Sequence, residues 1–173
     1  MPSLFILQTA LCCISAILVG YFDIRYRRIP NKLVLPLLLG GLLLGFVFAG
    51  TAGLVASVQG LLLGFGLMFV LHMFGALGAG DVKLFAALGA VLGVQLVLPT
   101  FVIVVLLGGV LAVGSMLYVG TTRVTGERVL LIFNGLLMGS VPRFPVPDDK
   151  RQTLPYGVAI TVGSLLSLVW HNL

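Results

Sequence analysis

The chain has 173 residues, 60% of them hydrophobic and 9% charged, with a formal net charge of +5. A water-soluble domain carries about 25% charged residues, so there is too little polar surface here to coat a soluble globule, and the sequence reads as one all-α integral membrane domain. The positive excess needs no nucleic acid, because basic loops lying against anionic lipid headgroups account for it.

A spanning helix needs roughly 20 apolar residues, and six segments qualify in chain order. The N-terminal "MPSLFILQTALCCISAILVGYFD" lacks a basic n-region and its apolar run has the length of a full span, which predicts a transmembrane helix over about 3–22 rather than a cleaved signal. Cys12 and Cys13 are helical neighbours that diverge, without CxxC spacing, so no metal, cofactor or disulfide framework is expected. The apolar run from Leu33 to Phe74 is too long for one span, and "AGTAG" (Ala49 to Gly53) divides it into helices over about 33–49 and 53–74. The run from Val82 to Gly120 divides near Gly93 to Pro99 into helices over about 82–98 and 100–120. A long loop, 121–153, follows. Its apolar core, Val129 to Met138, is too short to span and is interrupted by Asn134 and Gly135, which predicts an interfacial or re-entrant segment. "TLPYG", with Thr153 as N-cap and Pro155 in the first turn, opens the last helix, about 154–170.

With six spans and the N-terminus outside, all ten Lys and Arg fall on one side, which the positive-inside rule makes cytoplasmic. The five acidic residues, Asp23, Asp81, Glu127, Asp148 and Asp149, fall on that side too. Asp23 follows "ILVGYF" at the end of the first helix, and Asp81 follows "GALGAG" at the start of the fourth. Ionisable groups at such positions are costly and mark functional sites. Two carboxylates that meet there share a proton, so one can activate a water while the other protonates a carbonyl. A helix N-terminus and the nearby Lys83 favour Asp81 as the charged member and leave Asp23 as the proton holder, although Arg25 and Arg27 pull the other way. Gly75, Gly78 and Gly80 would allow positive φ and close approach of an extended chain. Each residue also has a plainer reading. Asp23 alone could pair with Arg27, Asp81 could be a helix N-cap, and Arg28, Pro30 and Asn31 could merely set topology and open the second helix. His72 could be an interfacial packing residue, and Asp148 and Asp149 solvated loop charges.

Taken together, these residues resemble a known family. "DIRYRRIPN" (Asp23 to Asn31) is similar to the first-aspartate motif of the type IV prepilin peptidases, "GAGDVKL" (Gly78 to Leu84) to their GxGD motif, and "LPYGVAI" (Leu154 to Ile160) to the segment opening their last helix. The resemblance implies an aspartic-type endopeptidase that removes the basic leader of type IV prepilin-like proteins at the cytoplasmic face of the inner membrane. Asp23 and Asp81 would be the catalytic pair, with Gly78, Gly80, Lys83, Arg28, Pro30 and Asn31 in supporting or substrate-binding positions. The chain has no CxxC pairs, so it resembles the short form of Flp (tight-adherence) and archaeal preflagellin systems, for which no methyltransferase activity or S-adenosylmethionine site is expected. The expected partners are a prepilin or pseudopilin substrate and membrane lipids. A small proton-coupled transporter is the alternative, since buried aspartates and glycine-broken helices serve transport as well. Its acidic residues would sit near the midplane within an internal repeat, whereas both aspartates here lie at one face.

Overall fold

The structure, a computed structural model, describes residues 2–26, 28–74, 77–119 and 156–172. The loop 121–153, the N-cap Thr153, Pro155, Arg27 and Gly75 lie outside the described residues. All regular elements among those described are helices: α1 (Pro2–Tyr26), α2 (Asn31–Met73), α3 (Ala79–Leu92), α4 (Val94–Val119) and α5 (Tyr156–Asn172). Among the described residues three stretches are long and apolar enough to cross a membrane: Ser3–Tyr26, Asn31–Met73 and Val94–Gly114.

The second of these is a hairpin of two arms. Ala49 and Gly50 leave helical geometry, and Gly50 takes φ +59°, a conformation that glycine adopts at no steric cost. Beyond the turn the chain runs back on itself. Ser57 Oγ donates to the Gly41 carbonyl at 3.4 Å, a contact between residues that would stand about 24 Å apart in a straight helix. At the "AGTAG" break the arms approach so closely that a methyl group on Gly53 would strike the Gly45 carbonyl oxygen.

The boundary between the next two helices differs from the sequence expectation. Helix α3 has 14 residues and ends at Gly93, whose φ of +75° and ψ of 165° are closed to other residues. Its length is then about 21 Å, short of the roughly 30 Å hydrocarbon core. Pro99 does not end a helix. It lies in the second turn of α4, where it removes one backbone hydrogen bond from a helix whose later turns are intact.

Helix α3 is the centre of the molecule. Val82 and every residue from Leu84 to Leu92 are buried, so the helix is apolar all round and must be enclosed on all sides. Glycines let its neighbours close on it. A Cβ at Gly41 would lie 2.6 Å from the Val91 nitrogen, one at Gly64 would lie 3.2 Å from Phe85, and one at Gly89 would strike the Gly60 carbonyl oxygen. Gly89→Ala therefore overpacks backbone against backbone, which costs about 1–3 kcal/mol against a helix-propensity gain of roughly 0.5–1 kcal/mol. A lowered melting temperature in detergent is expected, while Gly66→Ala, with nothing within 4 Å, should leave it unchanged or slightly raised.

Helix α1 is clasped to α3 at the far end, where Gln8 Nε2 donates to the Val91 carbonyl at 2.7 Å. This contact and the packing of α1 on α3 set the two helices antiparallel. The C-terminal end of α1 therefore lies at the N-terminal end of α3. Helix α5 packs on α1, α3 and α4. Gly163 faces Val104 and Gly108 faces Tyr156, so α4 and α5 also run antiparallel.

Candidate active site

Asp23 stands in the last turn of α1 and is 6% exposed. Its Oδ2 accepts the backbone N–H of Gly157, in the first turn of α5, at 2.8 Å. An unpaired amide at a helix N-terminus is a donor carrying the positive end of the helix dipole. The α5 terminus therefore offsets the unfavourable C-terminal end of α1, a compensation supplied 134 residues away in sequence. Gly157 fits because it has no side chain: a Cβ there would lie 2.8 Å from Asp23 Oδ2 and 2.9 Å from Val19 Cγ1.

Asp81 is the third residue of α3, in its first turn and outside the three spans. Its Oδ2 accepts the N–H of the N-cap residue Gly78 at 3.1 Å, and the Gly78 carbonyl accepts the N–H groups of Asp81 and Val82. The reciprocal arrangement resembles a capping box with a carboxylate in the returning position. Gly78 has an ordinary φ of −76° and Gly80 lies within the helix, so neither supplies the positive φ expected from sequence. Their use is closeness instead. A Cβ at Gly78 would sit 3.2 Å from the Asp81 carboxylate, and one at Gly80 would sit 3.4 Å from the Ile29 side chain.

The two carboxylates sense one another. Burial pushes the Asp81 carboxyl up to about 6 and the charge of Asp23 adds to the rise, while the Gly78 hydrogen bond and His72 pull the other way. Burial thus outweighs the helix N-terminus that was expected to keep Asp81 charged. Lys83 does not alter the balance, because residues two apart on a helix face different directions. Its Nζ donates instead to Asn31 Oδ1 at 3.4 Å, tying α3 to the first turn of α2. Pro30 is the N-cap of α2 in extended conformation, and Arg28 is exposed on the segment before it. The structure brings Asp23, Asp81, Gly78 and Gly80 to one end of the bundle and places Lys83 and Asn31 on a separate side of α3.

Residues 10–113, more than half of the chain and including both aspartates, match the model of the type IV leader peptidase family. The chain belongs to that family. It is similar to prepilin leader peptidase/N-methyltransferases from Bacillus subtilis (30% identity, covering 90% of this chain and 52% of the relative) and Pectobacterium carotovorum (35%, 94% and 51%). The Dickeya chrysanthemi protein of the same name is 39% identical over 64% of this chain and 41% of its own length. The chain thus spans about half the length of the curated relatives it matches. No solved structure matches it.

Two further residues, His72 and Tyr156, stand within electrostatic reach of Asp81. His72 Nδ1–H donates to the carbonyl of Leu77, the residue before Gly78, at 2.7 Å. Tyr156, next to Gly157, also forms one wall of a cavity of about 210 Å³ whose other walls include Met68, Leu71, Leu77, Val104 and Gly109. Among the described residues no group of three or more His, Cys, Asp or Glu is arranged to hold a metal ion. Sequence reasoning did not single out Tyr156 and Gly157 as site residues. The signal available was the "PYG" of "LPYGVAI", where a glycine in the first turn of a helix has no local purpose.

Proposed function

We propose that the chain is an aspartic-type endopeptidase that cleaves the basic leader from Flp-type and related type IV prepilins at the cytoplasmic face of the inner membrane. The observation that carries this reading is the convergence of Asp23 and Asp81 from two helices at one end of the bundle, each holding a backbone N–H and each within the other's field. The monoprotonated pair is the active form. The charged carboxylate takes a proton from water as the water oxygen adds to the scissile carbonyl, and the protonated one donates to the carbonyl oxygen. Collapse of the resulting diol breaks the C–N bond, with a proton passed to the leaving amine. No covalent intermediate forms. The topology that suits this chemistry has six membrane segments, counting the arms of α2 separately and including the short, enclosed α3, with the N-terminus outside and both aspartates cytoplasmic. The direct test is leader removal, seen as a size shift on a gel, when the chain is co-expressed with an Flp-type prepilin.

A pH dependence follows. As pH rises through about 6, the proton that burial and Asp23 retain on the pair is lost, and with it the general acid. For a leader-bearing peptide, kcat/KM, which reports the free enzyme, is expected to fall about tenfold per unit on the alkaline side of this titration. A flat profile between about pH 5 and 8 would refute the shared-proton mechanism.

The cavity beside Tyr156 suits one large apolar side chain of the substrate next to the scissile bond, given that an apolar cavity of about 150 Å³ takes up benzene. Gly109 has open space where a side chain would project. Gly109→Leu is expected to raise KM about tenfold or more for a substrate with a large apolar residue there. A substrate carrying alanine at that position should be cleaved as well as by the wild type.

A further inference from the structure

A second concavity lies on the side of α3 that carries Lys83. It is a groove of about 360 Å³ between the two arms of α2, walled by Val34 and Leu38 on one arm and Leu61 and Phe65 on the other, with Ala86 of α3 as its floor. Asn31 and Lys83 close one end, joined by the 3.4 Å hydrogen bond. The polar end sits at the first residue of α2, and the apolar walls extend to Leu38, about 10 Å further along the helix. Leu35, which also lines the groove, is exposed, so the groove opens toward the lipid.

We propose that this groove is a binding site for an anionic phospholipid, with one acyl chain between the arms of α2 and the phosphate on Lys83. The polar-to-apolar order along the groove is the order of a phospholipid from headgroup to tail. A groove lined this way gains nothing from water, while hydrocarbon fills it at no cost in unpaired polar groups. The headgroup preference comes from charge. Lys83 is exposed and its partner is a neutral amide oxygen at the long end of hydrogen bonding. Lys32 in the same turn as Asn31, and Arg28 just before it, are also exposed. Among the described residues the only carboxylates are Asp23 and Asp81, and they hold the Gly157 and Gly78 amides instead. Basic pockets between membrane helices take anionic headgroups for this reason. The site depends on membrane embedding and not on peptidase activity.

Native mass spectrometry of the detergent-purified protein would test it, with phosphatidylglycerol and phosphatidylcholine of identical acyl chains as probes. Wild type should retain phosphatidylglycerol at least about fivefold better, the factor expected for one lysine at the membrane surface. Lys83→Gln should reduce phosphatidylglycerol to the phosphatidylcholine level, and Lys83→Arg should keep the preference. Leu38→Trp, which fills the groove, should lower binding of both lipids. If that variant does not fold, the two Lys83 variants decide the matter alone, since Lys83 is on the surface. Equal retention of the two lipids by wild type, or an undiminished preference in Lys83→Gln, would overturn the assignment. Displacement of phosphatidylglycerol by an apolar prepilin segment would do so as well, assigning the groove to the substrate.

Discussion

Asp23→Asn and Asp81→Asn are each expected to abolish leader removal, with losses of at least about 10³-fold, within the range that a positioned acid or base contributes. Asparagine is nearly isosteric and its amide oxygen can still accept the Gly157 or Gly78 N–H that the carboxylate holds now. Both variants should therefore insert and accumulate like the wild type, which separates chemistry from folding. The double variant should be no worse than either single one, because the pair works as a unit and its effects do not add. Processing that survives in one single variant at equal membrane abundance would eliminate the dyad mechanism. If wild type cleaves none of several prepilins while both aspartates affect proton flux, transport becomes the better reading.

Much of this architecture is legible in the sequence, for reasons that differ from element to element. The turn of the α2 hairpin could be placed at "AGTAG" because a run too long for one span must break, and glycine is the residue that tolerates the geometry found at Gly50. The break between α3 and α4 was bracketed between Gly93 and Pro99 and falls at the first of them. Nothing in a uniformly apolar run distinguishes the two, since periodicity is lost where both faces are buried. The aspartates stand out because a charge at a membrane boundary is expensive wherever it occurs. The environment that tunes them does not stand out. Of the two uses read for Gly78 and Gly80, the positive φ is found at neither, and both stand close to neighbouring side chains. Lys83 looked like a partner of Asp81 by sequence distance, yet helical geometry directs it to Asn31. The Asp23–Gly157 contact spans almost the whole chain, so neither residue carries a local trace of the other.

That contact leads to the sharpest test of how the site is held. Gly157→Ala adds one methyl group to a helix first turn, a change that by local propensity alone is mildly stabilising. The added Cβ would, however, lie 2.8 Å from Asp23 Oδ2 and 2.9 Å from Val19 Cγ1. Val19 is buried in the wall of α1 and cannot retreat, so the carboxylate has to give way. It would rotate off the Gly157 amide, losing its hydrogen bond and its position relative to Asp81 together. A displacement of about 1 Å at a reacting group costs on the order of 10²-fold in rate. The loss should fall mainly on kcat, with KM little changed, because the substrate's own contacts are elsewhere. The alkaline limb of the pH profile should also move, since the Asp23 charge that bears on Asp81 is relocated. A variant that lost packing alone would lower the melting temperature and leave that limb in place. Full activity in Gly157→Ala would mean that the α5 terminus does not position Asp23 during the reaction, and the role assigned to the first turn of α5 would have to be abandoned.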